Sequence, residues 1–199
     1  MRKLRHFGFA LFLVLWTGAL AASAHAAPHK DKDLGTFGVW HAYVTEEGGQ
    51  TVCYMVTAKA GKPAGKKKGR TSYLMITHRP VEGSTDVFSY GAGALLDSRH
   101  GVSVRIGASA FDLFSVKDTA WARDAMTDHK LAAAIRNGSR AQLLGIPSQN
   151  RVATINDTFD LKGAFPAYRA IGKACGLPDV ESKKPPLKPA VKKPAAKKH

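Results

Sequence analysis

The sequence predicts a mainly β domain, an antiparallel β-sandwich with one or two short helices near its C-terminal end. Short apolar segments separated by Gly, Pro and charged turns dominate from residue 36 to residue 161, a pattern typical of sandwiches and barrels. Clear helical spacing occurs only late in the chain, which argues against alternating β-α-β units. The body of about 150 residues between the two ends is long enough for one domain with one core.

The strands are predicted from their content of β-branched and aromatic residues. The stretch "TEEGGQ" between the first two segments indicates a hairpin, and "VSVRI" alternates apolar and polar residues as a half-buried strand does. The predicted strands cover residues 36–44, 51–58, 71–79, 86–93, 102–106, 110–116, 141–146 and 151–161. In the last of these, Ala153, Ile155, Phe159 and Leu161 are expected on one face.

Two helices are predicted, over residues 127–138 and 164–175. Thr127 is the expected N-cap of the first helix, and Asn137-Gly138 suits its C-terminus. The residues expected to face the core are Leu131, Ala132 and Ile135 in the first helix and Phe165, Tyr168 and Ile171 in the second.

The N-terminus has the pattern of a secretory signal peptide over residues 1–26. Three basic residues precede an apolar core of 14 residues, and small residues then offer cleavage after Ala26 or Ala24. The apolar core falls short of the ~20 residues that span a bilayer. The sequence therefore predicts export to the periplasm or cell envelope, with secretion as an alternative, and a flexible mature N-terminus over 27–35.

The C-terminal residues 178–199 differ abruptly from the predicted folded domain, 36–177. This tail holds five Pro, seven Lys and no aromatic residue, a composition that predicts disorder. The formal net charge of the whole chain is +15. An exported chain rarely meets chromosomal DNA, so we expect no nucleic acid and instead an anionic envelope surface of phospholipid, lipopolysaccharide or peptidoglycan. An unidentified protein partner is a further expectation, and a tail that only keeps the protein soluble is the alternative.

The cations expected to bind this anionic surface lie in the tail and in a basic loop between two strands. They are Lys183, Lys184, Lys188, Lys192, Lys193, Lys197 and Lys198 in the tail, and Lys66, Lys67, Lys68 and Arg70 in the loop.

Cys53 and Cys175, the two cysteines of the chain, are predicted to form a disulfide bond. An oxidising compartment favours their pairing. A reactive thiol pair is the alternative, but the C-x-x-C spacing that would support it is missing.

Motifs of catalysis and metal binding are missing from the sequence. There is no G-x-S-x-G, and the basic stretch 60–72 lacks the Walker A spacing. The histidines of the predicted domain, His41, His78, His100 and His129, are far apart, with no H-x-x-x-H pair among them. We therefore expect a non-enzymatic protein without cofactor or metal. The alternative is an enzyme that acts on envelope polymers through dispersed residues such as His78, Asp97 and His100.

Three aromatic residues, Trp40, Tyr73 and Trp121, raise the question of a ligand surface. In a small β domain we expect such residues in the core, with a ligand surface as the alternative.

Five segments of the predicted domain form a recognisable set: "FGVW" (37–40), "ITHRP" (76–80), "FDLF" (111–114), "DTAWARDAMTDHKLAAAIRNGSRAQLLGIPSQ" (118–149) and "TFDLKGAFPAYRAIGKAC" (158–175). Together they resemble the invasion-associated locus B family, exported proteins of Gram-negative bacteria. The resemblance implies a periplasmic or envelope-associated β-sandwich that the family name links to host-cell invasion. It supplies no known reaction and so no catalytic residues.

Overall fold

The computed structural model describes residues 31–60, 70–149 and 154–180. In these ranges the chain forms ten strands, two α-helices and one 3₁₀ turn. The strands are β1 (Lys32–Phe37), β2 (Trp40–Glu47), β3 (Gln50–Ala60), β4 (Thr71–Arg79), β5 (Ser84–Gly91), β6 (Val102–Ile106), β7 (Ser109–Val116), β8 (Thr119–Trp121), β9 (Arg140–Gly145) and β10 (Ile155–Asp160). The helices are α1 (Ala125–Asn137) and α2 (Ala164–Ala174), and the 3₁₀ turn is Pro80–Glu82.

The strands follow one hydrogen-bonded order, β1-β2-β3-β4-β5-β8-β7-β6-β9-β10. Each neighbouring pair is antiparallel. The sheet passes from one layer to the other within β7, whose first half pairs with β6 and whose last three residues pair with β8. The predicted mainly β fold is confirmed, and the architecture is consistent with an antiparallel sandwich.

The core lies between the two layers. Directly paired residues share a face of a sheet, and the row Thr57, Leu74, Tyr90, Ala120 and Ser115 runs across the first layer with every member buried. Ile155 and Phe159 of β10 face this layer, and the rings of Tyr90 and Phe159 meet edge to face with centroids 6.3 Å apart. We call this buried side of the first layer its inner face.

Both helices pack against the part of the inner face that β10 does not cover. Helix α1 buries Leu131, Ala132 and Ile135, as predicted. Its N-cap is Asp124 rather than the predicted Thr127, because the Asp124 carboxylate accepts the Thr127 N–H at 2.8 Å. The expectation for α2 holds for Tyr168 and Ile171, which are buried.

The predicted strand 36–44 is interrupted, and the reason is a close contact between two turns. Gly38 and Gly163 both have positive φ, and a Cβ on Gly163 would lie 1.9 Å from the Phe37 carbonyl oxygen. The Val39 N–H donates to the Lys162 carbonyl at 3.3 Å. The turn between β1 and β2 is thus held against the turn that starts α2, which fixes the N-terminal strands on that helix.

Three further details differ from the sequence predictions. Strand β1 begins at Lys32, so the flexible segment predicted over 27–35 is too long. Strand β8 was not predicted, because three residues are too few for a visible alternation. Phe165 is only partly buried.

Candidate functional site on the outer face of the sheet

The outer face of the first layer carries a largely apolar row, although antiparallel sheets usually present polar residues to solvent. One row crosses six strands in the order His41, Val56, Met75, Ser89, Trp121 and Phe114. The row carries no Lys, Arg, Asp or Glu. Phe114 is 37% exposed, and Val56, Met75 and Trp121 are half-buried.

Further aromatic rings flank this row. Tyr43 and Tyr54 face each other across β2 and β3 with ring centroids 5.2 Å apart, and Phe114 and Trp121 lie 5.9 Å apart at the other end. Tyr73 lies across Gly91, since a Cβ on Gly91 would meet the Tyr73 ring at 2.0 Å. We call the whole surface the platform, and its residues are His41, Tyr43, Tyr54, Val56, Tyr73, Met75, Ser89, Phe114 and Trp121.

Ser89 occupies the middle of the platform. Its side chain is buried, and its Oγ has no hydrogen-bond partner among the residues that the structure describes. Leaving a buried hydroxyl without a partner costs about 1–3 kcal/mol. The Ser89 hydroxyl therefore lies beneath the platform, whose accessible surface comes from the side chains around it.

The chain segment before β1 reaches the rim of the platform. The Tyr54 hydroxyl donates to the Asp31 carboxylate at 2.8 Å. Burial, the hydrogen bond and the nearby negative charge of Asp31 raise the pKa of Tyr54, so this contact is present across the physiological range of pH.

A second polar cluster lies on the inner face, where Asp86 joins both helices to the sheet. A β-bulge opposite His78 gives Asp86 a φ of 63° and turns its side chain inward. The Tyr168 hydroxyl donates to Asp86 Oδ1 at 2.5 Å, and His129 Nδ1 lies 2.6 Å from Asp86 Oδ2. The Asp86 N–H donates to His78 Nδ1 at 3.0 Å.

These contacts set the charge state of the cluster. Burial lowers the pKa of His78 despite the nearby Asp86 carboxylate, and burial followed by the Asp86 hydrogen bond raises the pKa of Tyr168. Arg136 lies 4.3 Å from the centre of the Tyr168 ring, a cation–π contact. His78 is thus neutral at pH 7, and the cluster serves to dock α1 and α2.

A third cluster connects the two layers of the sandwich through Asp157 of β10. Its carboxylate accepts two hydrogen bonds from Arg70, at 2.6 and 2.8 Å, and one from the Tyr90 hydroxyl at 2.6 Å. Burial alone would raise the pKa of Asp157, but the hydrogen bonds from Arg70, Tyr90 and Ser72 outweigh it, and the pKa is lowered. Asp157 is thus ionised and paired inside the fold.

The three residues named for an enzymatic alternative belong to two separate networks. Asp97 lies close to Arg99 and His100, with its Oδ2 2.7 Å from Arg99 and 3.2 Å from His100 Nδ1. The hydrogen bond from Arg99 is the main cause that lowers the pKa of Asp97. His78 contacts Asp86 and Tyr168 instead.

The predicted disulfide is present. Cys53 of β3 and Cys175, directly after α2, are bonded with their Cα atoms 6.0 Å apart. Cys53 pairs in register with His78, so the bond anchors the end of α2 beside the Asp86 cluster.

The predicted anion-binding cations are described only in part. The seven tail lysines and Lys66, Lys67 and Lys68 lie outside the described residues, as does the predicted signal peptide. Arg70 is described, and its guanidinium donates to Asp157 and to the Ala92 carbonyl. Because these bonds direct it into the fold, we leave Arg70 out of the surface proposed below.

Of the three aromatic residues singled out in the sequence, only Trp40 is buried in the core. Trp121 and Tyr73 lie on the platform. The available signal was the strand "TSYLMITHR", where both alternating sets, Tyr73 and Met75 as well as Leu74 and Ile76, are apolar. Such a strand has two apolar faces, and only one can face the core of a two-layer sandwich.

Residues 31–60, 70–149 and 154–180 contain no group of three or more His, Cys, Asp or Glu that could hold a metal ion. Neither described helix is long and apolar enough to cross a membrane.

Comparisons with known proteins agree with the fold and with the motifs. The family model described as Invasion associated locus B (IalB) protein matches residues 40–172. The structure is similar to the crystal structure of invasion associated protein B from Bartonella henselae, with a TM-score of 0.50 and 14% identity, over 70% of this chain and 95% of that chain. At that identity the likeness shows the fold alone, and the comparison with curated protein sequences gave no match. Because the family model spans more than half of the sequence, from β2 into α2, the chain belongs to the invasion associated locus B family.

Proposed function

We propose that this protein is an exported, non-enzymatic binding module of the bacterial cell envelope. In this proposal the platform holds the partner, and the basic tail keeps the protein close to an anionic envelope surface. The observation that carries the proposal is the uncharged, half-exposed row across six strands. Soluble proteins rarely expose large contiguous apolar patches, and such patches mark interaction sites.

The platform is available for binding because it is not needed for the core. The inner face of the same strands is mostly buried and carries the contacts to both helices and to β10. The domain thus folds around one face, while the other, aromatic face is partly exposed to solvent.

The tail supports tethering through its charge. Each lysine near an anionic leaflet contributes about 1 kcal/mol, so seven lysines give an upper limit of roughly 7 kcal/mol. Salt screening and the ordering of the tail reduce this value. The expected result is reversible attachment that weakens with rising ionic strength.

The residues of the enzymatic alternative do not all stand alike. A general acid or base must come within hydrogen-bond reach of its substrate. His78 is fully buried and lies in the Asp86 cluster, so it does not have that reach. Asp97 Oδ2 lies 3.2 Å from Nδ1 of His100, which lines an open cavity together with Arg99, so Asp97 and His100 are the residues that an enzyme acting on envelope polymers would use.

The test is co-sedimentation of the oxidised mature protein with purified peptidoglycan sacculi and with anionic phospholipid vesicles. The full-length protein is compared with a version that ends at Val180, at low and at physiological salt. The truncation keeps Asp179, which pairs with Arg169 of α2, and Val180, which packs against the core. A Trp121→Ala variant of each version reports on the platform.

Loss of pelleting on truncation, together with release by salt, supports the tether. Pelleting of the truncated protein at physiological salt that Trp121→Ala abolishes supports the platform. If neither truncation nor Trp121→Ala changes what pellets, both parts of the proposal are wrong.

A further inference from the structure

The platform carries two carboxylates without a cationic partner at one of its ends. Tyr43 and Tyr54 stand side by side there, with ring centroids 5.2 Å apart. The Asp31 carboxylate accepts the Tyr54 hydroxyl, and Asp33 pairs in register with Tyr43. Neither carboxylate is ion-paired with a described Lys or Arg. This end of the platform thus suits an occupant that offers apolar groups together with cations.

The part of the tail beyond Val180, residues 181–199, has this chemistry. It contains four Pro and seven Lys against one acidic residue, Glu181. A proline-rich chain favours the extended polyproline II conformation, which loses little entropy on binding and is recognised by aromatic surfaces. Proline also has no N–H group, so a proline that packs on an apolar surface buries no unpaired donor.

The tail is long enough to reach the platform from the point where the described chain ends. Val180 packs against the core and Asp179 pairs with Arg169 of α2, so the tail starts beside this helix. Helix α2 contacts β1, β2 and β3, and β1 is the edge strand. A path around β1 passes a helix about 10–12 Å wide and a sheet layer about 10 Å thick. At ~3.1 Å per residue this takes about seven residues, so the tail reaches the outer face near residue 188.

Two prolines beyond this point match the spacing of the aromatic side chains. Three strand-to-strand steps lead from Tyr54 on β3 to Trp121 on β8, roughly 14 Å at the usual strand spacing. Pro189 and Pro194 are five residues apart in the sequence, roughly 16 Å in polyproline II. With Pro189 at the tyrosine pair, Lys188 can reach the two carboxylates, and Pro194 falls near Trp121.

We propose that the tail folds back over the platform of its own chain, with Pro189 packed against Tyr54 and Pro194 against Trp121. A link through the tail gives an effective concentration in the millimolar range, so a contact that is weak between separate molecules is populated within one chain. The proposal rests on the platform being a binding surface, as proposed above. It adds that the tail occupies this surface until a partner displaces it.

The test measures the accessibility of Trp121 in the oxidised mature protein by acrylamide quenching of tryptophan fluorescence. Trp40 is fully buried and Trp121 is half-buried, while Trp16 belongs to the predicted signal peptide, so quenching reports on Trp121. The full-length protein is compared with the version that ends at Val180. With the tail docked for most of the time, the quenching constant of the full-length protein is expected to be about two- to threefold lower.

Variants confined to the tail test the contact without changing the described fold. The double variant Pro189→Ala and Pro194→Ala keeps all seven lysines, and its quenching is expected to rise to that of the truncated protein. The matched control is Pro185→Ala with Pro186→Ala, which removes the same number of prolines before the tail reaches the outer face. This control is expected to keep the protection of the wild type.

The two carboxylates are tested through the salt dependence of the protection. Because screening weakens contacts between exposed charges, the protection of Trp121 should decrease as the NaCl concentration rises. Asp31→Asn with Asp33→Asn removes both charges and keeps the side-chain oxygens that accept the Tyr54 hydroxyl and the Gly35 N–H. The salt dependence should be smaller in this variant, and an equal dependence would overturn the assignment of the lysines to this end.

Equal quenching of the full-length and truncated proteins overturns the inference, and equal loss of protection in both proline variants overturns the placement of Pro189 and Pro194. Protection that grows with protein concentration identifies the tail of a second copy and overturns the contact within one chain. If protection is absent while Trp121→Ala still abolishes pelleting of the truncated protein with sacculi, the tail is not the occupant and the proposed binding function stands.

Discussion

The substitution Asp157→Asn should destabilise the domain strongly, because it breaks the link between the two layers. The change keeps the volume of the side chain and removes its charge. Arg70, whose side chain is 27% exposed, then faces an amide in place of the carboxylate that accepts its two hydrogen bonds. Tyr90 is fully buried, and its hydroxyl donates its hydrogen bond to the same carboxylate.

The magnitude follows from the burial of these partners. Removing one member of a buried ion pair costs about 3–5 kcal/mol, chiefly because the other charge is left without compensation. The partial exposure of Arg70 places the expected loss near 3 kcal/mol, the low end of this range. For a domain of this size each kcal/mol lowers the Tm by about 2–4 °C, so a fall on the order of 10 °C is expected.

The assay is urea and thermal denaturation of the oxidised protein at pH 7, followed by circular dichroism. Asp112→Asn is the matched control, since Asp112 is an exposed carboxylate on β7, and its loss should change the free energy of unfolding by no more than about 0.5 kcal/mol. If Asp157→Asn is as stable as Asp112→Asn, the account of Asp157 as the link between the layers is refuted.

The pH dependence gives this prediction a second check. The pKa of Asp157 is lowered in the fold, so its contribution to stability is present above the unfolded pKa of about 3.9 and is lost as the pH falls below it. The difference in stability between the wild type and Asp157→Asn should therefore shrink below about pH 4. A difference that stays constant down to pH 3 would contradict the assignment of the effect to this ionised carboxylate.

Two further predictions concern the Asp86 cluster. Because the pKa of His78 is lowered in the fold, the native state loses stability as the pH falls below 6.5, the ordinary pKa of histidine. The charge of Asp86 opposes this loss, while the charges of Arg136 and His129 add to it. His78→Asn, which retains an acceptor for the Asp86 N–H, should show a smaller fall in Tm between pH 7 and pH 5 than the wild type, and equal falls would refute the prediction. Reduction of the disulfide, or alanine at both cysteines, releases a loop with a sequence separation of 122 residues. The free energy of unfolding should fall by about 4–5 kcal/mol in the chain-entropy model. A fall below about 1 kcal/mol, measured by thermal denaturation, would show that α2 docks without the disulfide.

The fold class could be predicted from the sequence because alternation and turn chemistry are local signals. The hairpin between β2 and β3 follows from Gly48 and Gly49, which both adopt positive φ. The disulfide could be predicted because only one pairing of two cysteines exists. The position of Asp124 as N-cap was missed because Thr127 is an equally good capping residue by type, and only the backbone distinguishes them.

The polar clusters could not be predicted, because each is assembled from residues far apart in sequence. Asp157 lies 87 residues from Arg70 and 67 from Tyr90. Asp157 also stands at an apolar position of β10, between Ile155 and Phe159. Sequence alternation marks that position as inward but does not supply the partner that allows a charge there.

Along the strands of the first layer, residues that form the core alternate with residues that belong to the platform. On β4, Leu74, Ile76 and His78 point into the core, while Tyr73 and Met75 belong to the platform. Because the inner residues already carry the packing and the buried hydrogen bonds, exchange of a platform residue removes mainly half-exposed apolar area. Such a change affects stability less than a change at the next residue along the strand, and its effect on binding can be measured in a folded protein. Because the outer residues can be exchanged without disturbing the core, the platform is the place to look for what the protein binds.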